Sequence, residues 1–338
     1  MLKKVADRAL VVAFPHPPAS IGGPGSFQSR LERKLTQDGH VVVYAGKEDG
    51  AKLDVVLVVG GTGKLIWLII KKMQGVKIVH RLDGKNWQQT IAKDGFSASL
   101  KSRLINWMIE SIKFFLANSV IFQSNFIAQV WRDEKCKHRN HNIIYNSVSL
   151  DEFRPVDKKK DNNKSIKVVC IEGSVNGKAA IDILCSIRNF QVNIYGNVSK
   201  EIQDYFALNT QDNIFFHGPV ERDAIPEKLK GLKVFLNLET NPPCPNAVIE
   251  ALASGVPVVG FDSGSLLELV GDAGVILPYG SGDPWKMESP DCKDLEGTLQ
   301  HMTLNYNELS LAARNRAVCL FSDDYMYQEY LRVFKSIL

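Results

Sequence analysis

Long apolar runs are scarce in this chain of 338 residues. The longest, such as residues 65–70 (Leu-Ile-Trp-Leu-Ile-Ile), fall far short of the roughly 20 residues a bilayer-spanning helix needs. Cysteine is sparse and scattered: six residues with no Cys-x-x-Cys pair, which argues against a disulfide framework or a zinc site and fits a reducing compartment. An excess of one charge is missing too. Lys and Arg number 41 against 37 Asp and Glu, a net +4, so bulk charge gives no reason to expect nucleic-acid binding. There is no internal repeat and no low-complexity tract. The first eight residues run into a strand pattern rather than a secretory leader, so a cytoplasmic protein is expected.

What is present is a globular composition, 45% hydrophobic and 23% charged, with length enough for two domains. Short apolar runs at 9–14, 41–45, 55–59, 77–82, 120–123 and 143–145 read as one set of strands. A second set falls at 167–171, 192–195, 214–216, 234–238, 256–259 and 275–277. Amphipathic helices fit between them, and such alternation predicts α/β architecture with parallel sheets covered on both faces. The charged stretch 156–164 reads as a linker between an N-terminal domain, 1–155, and a second domain, 165–321. Residues 322–338 form an amphipathic terminal helix. Two doubly wound Rossmann-like domains would face a cleft, with ligand at the carboxyl ends of the strands.

The most informative stretch is Glu239-Thr-Asn-Pro-Pro-Cys-Pro-Asn-Ala-Val-Ile-Glu-Ala-Leu-Ala-Ser-Gly-Val-Pro-Val-Val-Gly260. It reads as a polar loop, a short helix over 246–254, a Gly255 stop and a buried strand. The helix N-terminus, at Asn246, Ala247 and Val248, presents amides that suit a phosphate. One turn on, Glu250 can accept hydrogen bonds from ribose hydroxyls. A diphosphate and a ribose are the two halves of a sugar nucleotide.

Glu250-Ala-Leu-Ala-Ser-Gly-Val-Pro-Val258 resembles the donor motif of family 4 retaining glycosyltransferases, which have the two-domain GT-B fold. That motif places an acid eight positions earlier, where this chain has Pro242; Glu239 is the nearest substitute. Residues 144–155, Ile-Tyr-Asn-Ser-Val-Ser-Leu-Asp-Glu-Phe-Arg-Pro, resemble the family's interdomain signature, with Ser147 and Ser149 in place of Gly and Asp. Where the family carries Gly-Arg and a nearby Lys, this chain has Gly173-Ser174 and Lys178, so Lys178 is expected on the diphosphate and Arg81 of the other domain is a candidate second cation. Gly218, in Phe216-His-Gly-Pro-Val220, matches the loop beside the nucleobase. The resemblance also returns the terminal helix to the first domain.

Further candidates lie in the first half. Gly22-Gly-Pro-Gly25 is either a tight turn or a loop in which Gly22 and Gly23 approach the donor diphosphate. Its spacing is wrong for a dinucleotide fingerprint, because Gln28 stands where the third Gly belongs. Gly60-Gly-Thr-Gly-Lys64 looks like a phosphate loop, but Val58 and Leu65 occupy the positions of the first Gly and the magnesium-binding hydroxyl, so a strand-to-helix turn is expected. His80-Arg-Leu-Asp-Gly84 ends a strand. His80 and Asp83 are either a local pair at a turn or the groups at the reaction centre, the latter by resemblance. Residues 96–116 carry Lys101, Arg103 and Lys113 among apolar residues, which suits a core helix or a peripheral membrane contact.

The chain contains no Asp-x-Asp, the carboxylate clamp of the other main glycosyltransferase fold. The resemblance therefore implies metal-independent, retaining transfer with no cofactor. The donor would be a nucleotide-diphosphate sugar, uridine favoured over guanosine, and the acceptor a glycan or lipid-linked molecule. Two alternatives stay open: a catalytically degenerate GT-B protein that binds a sugar nucleotide or glycan, marked by Pro242 and Ser174, and a sugar-nucleotide epimerase.

Overall fold

The computed structural model describes residues 8–19, 23–48, 50–85, 96–131, 141–155, 167–175, 177–209 and 211–338, with backbone alone for 96–99 and 167–175. The chain divides into two units: 1–145 together with 323–338, and 146–322.

Unit 1 is built on β1 (Val11–Phe14), β2 (Val41–Tyr44), β3 (Val55–Val59), β4 (Lys77–Leu82), β5 (Ser119–Phe122) and β6 (His141–Ile143), all parallel in the order β2-β1-β3-β4-β5-β6. The run Val-Val-Leu-Val-Val of β3 is almost wholly buried, as expected of a strand covered on both faces. One face carries α1 (Gly23–Gln37) and the C-terminal helix (Asp323–Ile337). That helix buries Met326, Tyr327, Tyr330, Leu331 and Phe334 at helical spacing. Tyr330 lies 5.2 Å from the Phe27 ring of α1, and Arg33 pairs with Asp323 at 2.8 Å. The other face carries α2 (Leu65–Met73), α3 (Phe96–Ser111) and a π-helical turn, Ile112–Leu116.

Unit 2 is likewise a six-stranded sheet, of β7 (Lys167–Val175), β8 (Gln191–Val198), β9 (Ile214–Gly218), β10 (Val234–Leu236), β11 (Val258–Phe261) and β12 (Gly274–Leu277), parallel in the different order β12-β11-β10-β7-β8-β9. Between β10 and β11 runs the helix Asn246–Ala253, which buries every residue from Val248 to Ala253. Gly255, at φ +70°, ends it, and a Cβ there would press on Pro155 and Ser310 at 3.0 and 3.1 Å.

Several boundaries differ from the sequence reading. The first helix begins at Gly23, so Gly23-Pro-Gly25 is the first helical turn and not a loop. Gly25 is required there because a Cβ would fall 2.1 Å from the Ala19 carbonyl oxygen. Gly22 and the expected linker lie outside the described residues. The division falls between Tyr145 and Asn146, ten positions before residue 155. Residues 146–155 are tied to unit 2: the Arg314 guanidinium donates to the carbonyls of Leu150, Phe153 and Ala253. β7 runs on to Val175, past the expected end at residue 171, and Ser174 pairs in register with Asn197.

Candidate functional site

In a doubly wound sheet the strand order reverses at one point, and ligands gather at the strand carboxyl ends there. In unit 2 that point lies between β7 and β10. β10 leads through residues 237–245 into the helix Asn246–Ala253.

This loop is fastened rather than loose. The Asn237 amide donates to the Glu239 carbonyl at 2.9 Å, and the Asn241 N–H donates to Ser263 Oγ at 3.2 Å. The Pro242 carbonyl accepts from both the N–H and the hydroxyl of Ser265, each at 2.9 Å. Gly264, at φ +64°, passes so close that a Cβ would stand 2.4 Å from the Pro242 nitrogen. Pro242 thus anchors the turn where the resemblance would place an acid. Glu239 is the carboxyl that reaches the surface here. Its side chain keeps solvent access, yet surrounding protein desolvates it and pushes its pKa up to about 7.

The helix that follows has Pro245 at its N-cap, and no side chain caps it. Its first-turn amides, those of Asn246, Ala247 and Val248, keep the positive end of the helix open to an anion. Asn146 steadies the approach, its side-chain amide donating to the Cys244 carbonyl at 2.9 Å and to Asn246 Oδ1 at 3.1 Å. One turn in, the buried Glu250 carboxylate pairs with Arg222 Nη2 at 2.8 Å. Arg222 belongs to the 3-10 turn Arg222–Ala224 and is 45% exposed, so the rest of its guanidinium stays open. The sequence reading missed Arg222; its place a few residues beyond the carboxyl end of β9 was the available signal.

The other donor-side candidates separate. Lys178, in the first turn of the helix Gly177–Cys185, is exposed and paired with Asp182 on the same helix; Asp182 also accepts from Ser289 Oγ at 2.6 Å. Gly218 closes β9 at φ +73°, opposite Tyr195. Tyr195 stacks on His217 with ring centroids 4.5 Å apart, and His217 Nε2 meets Asn193 Oδ1 at 2.8 Å. Burial, then the nearby Lys228 charge, lowers the His217 pKa and favours the neutral ring. The Glu268 backbone carbonyl accepts from Arg316 Nη2 at 2.7 Å.

In unit 1 the reversal lies between β1 and β3. His16 follows β1 and Thr62 follows β3, and His16 Nε2 meets Thr62 Oγ1 at 3.0 Å. The Gln28 side chain donates to the His16 carbonyl at 2.8 Å. The sequence reading singled out neither His16 nor Thr62. Gly60-Gly-Thr-Gly-Lys64 is the strand-to-helix turn, with Lys64 at the N-cap of α2.

His80 requires correction. It is fully buried within β4, and its Nε2 meets the Gly60 carbonyl at 2.8 Å, so it fixes the turn after β3 and is not presented to a substrate. Nor do His80 and Asp83 pair with each other. Asp83, just past β4, is bound by Arg81, while its carbonyl accepts from Trp131 Nε1 at 2.7 Å. Arg81 is also corrected. Its side chain is 1% exposed, donates to Gln123 Oε1 at 3.0 Å, and lies over the Phe27 ring at 4.0 Å. It is a buried brace for Asp83 and not a cation offered to a phosphate. Asp83 keeps 21% of its side chain exposed. Desolvation raises its pKa, and the Arg81 charge opposes that rise.

Among the described residues, no group of three or more His, Cys, Asp and Glu is placed to hold a metal ion, and no helix is long and apolar enough to cross a membrane.

Residues 178–287 match the family model for glycosyl transferases, group 1. No curated protein matches the chain. Among solved structures, the chain is similar to a sucrose-phosphate synthase from Thermosynechococcus elongatus at 14% identity and TM-score 0.76, covering 98% of this chain and 99% of that one. A glycosyltransferase from Rickettsia africae superposes at 15% identity and TM-score 0.71, over 97% and 98% of the two chains. HepE of Anabaena, solved with UDP and glucose, gives 15% identity and TM-score 0.69 over 97% and 100%. At such identities the likeness establishes the fold: two doubly wound α/β units of the GT-B kind.

Proposed function

We propose that this chain transfers a glycosyl group from a nucleotide-diphosphate sugar to a hydroxyl of a glycan or lipid-linked acceptor, with retention and without a metal ion. The observation that carries the reading is the uncapped helix N-terminus at Asn246, one turn from the buried Glu250–Arg222 pair, inside the stretch that matches the glycosyltransferase model.

In this reading the amides of Asn246, Ala247 and Val248 hold the diphosphate. They stabilise the charge that develops as the bond from the anomeric carbon to the β-phosphate oxygen breaks. The open side of the Arg222 guanidinium reaches the same phosphates, the cationic part that Ser174 does not fill. Lys178, exposed beside Asp182, adds a point charge. Glu250 takes the ribose hydroxyls, and Gly218 lets the backbone approach the base. Glu239 lies where the sugar would hang from the diphosphate and bonds one of its hydroxyls. Asp83 of unit 1 accepts the hydrogen bond of the acceptor hydroxyl, braced by Arg81. The new bond forms on the face the leaving group departs from, and the acceptor proton passes to the leaving phosphate oxygen. No side chain is assigned as a nucleophile. Uridine is the favoured base, in line with the UDP bound to HepE. The setting in this reading is cytoplasmic.

Thermal shift against UDP, GDP, ADP and their sugar conjugates tests the reading, because a ligand that binds the folded state raises its apparent stability. A shift with one base family, lost in Glu250→Ala, is expected. The absence of any shift would remove the donor site. A donor shift without transfer to any acceptor would favour the non-catalytic binder, for which the anchoring role of Pro242 is the supporting observation.

A further inference from the structure

The helix α2 is apolar on its inner and outer faces, with Lys71 and Lys72 of its last turn engaged by Glu48 and Asn118. Its inner face reaches the core through Leu68, fully buried, and through Leu65 and Trp67. Its outer face repeats the pattern: Ile66, Ile69, Ile70 and Met73, at i, i+3, i+4 and i+7, are 77%, 45%, 46% and 82% exposed. A helix at the surface of a globular unit turns polar residues outward; one that is apolar on both faces needs a second apolar medium.

The adjoining π-helical turn extends this surface, since it packs beside α2 over the same sheet face. There Phe114 and Phe115 are 53% and 72% exposed and edge-on to each other at 4.7 Å; in α3, Trp107 is 67% exposed. Three large aromatic rings held in water are unusual for a soluble surface and usual at the headgroup level of a bilayer.

Basic residues outnumber acids around the patch, where Glu48 is engaged by Trp67 Nε1 at 2.5 Å and by Lys71 at 3.7 Å. Residues 64–77 and 100–116 hold seven Lys or Arg and one acid, Glu110, which is paired with Lys85 at 3.1 Å. Lys113 is turned inward, its Nζ donating to the Trp131 carbonyl at 2.8 Å. Lys64, Lys101 and Arg103 stay exposed. An apolar, aromatic face with a basic rim complements an anionic lipid surface, with apolar side chains in the acyl boundary and cations at the headgroups.

We propose that unit 1 docks on an anionic membrane through the outer face of α2, with Trp107, Phe114 and Phe115 beside it. Residues 96–116, the segment from which a membrane contact was anticipated, supply the aromatic flank, and α2 supplies the inserted face. The proposal stands independently of the transferase reading.

Co-sedimentation of the full chain with lipid vesicles tests it. Vesicles of phosphatidylcholine with about a third phosphatidylglycerol should carry the protein down about tenfold better than phosphatidylcholine alone, and high salt should remove most of that difference. The double variant Ile66→Glu/Met73→Glu changes two well-exposed positions, so it should keep the wild-type melting temperature while losing about tenfold or more of vesicle binding. Ile66→Leu/Met73→Leu should bind like the wild type. Failure of the wild type to sediment with anionic vesicles, or equal binding by the Glu variant, would overturn the proposal. So would a concentration-dependent dimer abolished by the Glu variant, which would make the face a contact between copies.

Discussion

Both sheets are six-stranded and wholly parallel, though their strand orders differ, and their carboxyl edges do opposite things with charge. In unit 1 the polar residues are largely spent on one another: His80 pins Gly60, Arg81 braces Asp83 and Gln123, and only part of Asp83 remains open. In unit 2 a helix N-terminus is left uncapped, and the buried Glu250 is neutralised by a half-exposed Arg222. The first arrangement holds one carboxylate in a fixed orientation. The second keeps positive potential available at a surface.

The largest expected effect tests the unit 1 edge. Asp83→Asn should lower turnover by about 10²-fold or more, the scale of misplacing a reacting hydroxyl, with little change in donor affinity. Equal loss in both would make Asp83 a folding or binding residue. The unit 2 edge should respond in affinity. Glu250→Ala should weaken nucleotide binding by about 1.5–3 kcal/mol, the range for hydrogen bonds to a charged group. Titration calorimetry with UDP and uridine sharpens this. Arg222→Ala should cost the diphosphate more than the nucleoside, whereas equal losses would mean that Arg222 serves only to neutralise Glu250.

A smaller effect is set by pH. The Glu239 pKa, raised from 4.5 to about 7, lies above its unfolded value, so the folded state favours the protonated carboxyl. The cost of ionising it in place is absent below about 4.5, grows between the two values and is complete above about 7. This group therefore makes the protein less stable as pH rises from 5 to 8, and Glu239→Gln should flatten that part of the melting-temperature profile. An unchanged slope would show that Glu239 is solvated like a free carboxyl. The smallest effect is none: a chelator should leave transfer intact, and a strict divalent-metal requirement would contradict charge stabilisation by amides and Arg222.

Much of the architecture was legible in residue order. Parallel strands buried on both faces need unbroken apolar runs, and each of the twelve runs became a strand, with ends moved by a few residues. The helix at Asn246 and the Gly255 stop were equally readable, because caps depend on adjacent residues. Errors arose where distant parts compete for the same residue. His80 looked available because it stands near a strand end, but strand pairing and the Gly60 carbonyl consume it. Arg81 looked like a spare cation, and Gln123, 42 residues away, shows that it is not.

Strand count, parallel class, the helix start at Asn246 and the place of Glu250 one turn into that helix follow from local order, since periodicity and capping act over a turn or two of chain. The neutralisation of Glu250 by Arg222 across 28 residues, the anchoring of Pro242 by Ser265 and the outward face of α2 do not. Each depends on which surfaces meet when helices settle on a sheet. Packing decides that, since it places residues far apart in sequence within hydrogen-bonding distance and leaves one apolar face of a helix without a protein partner.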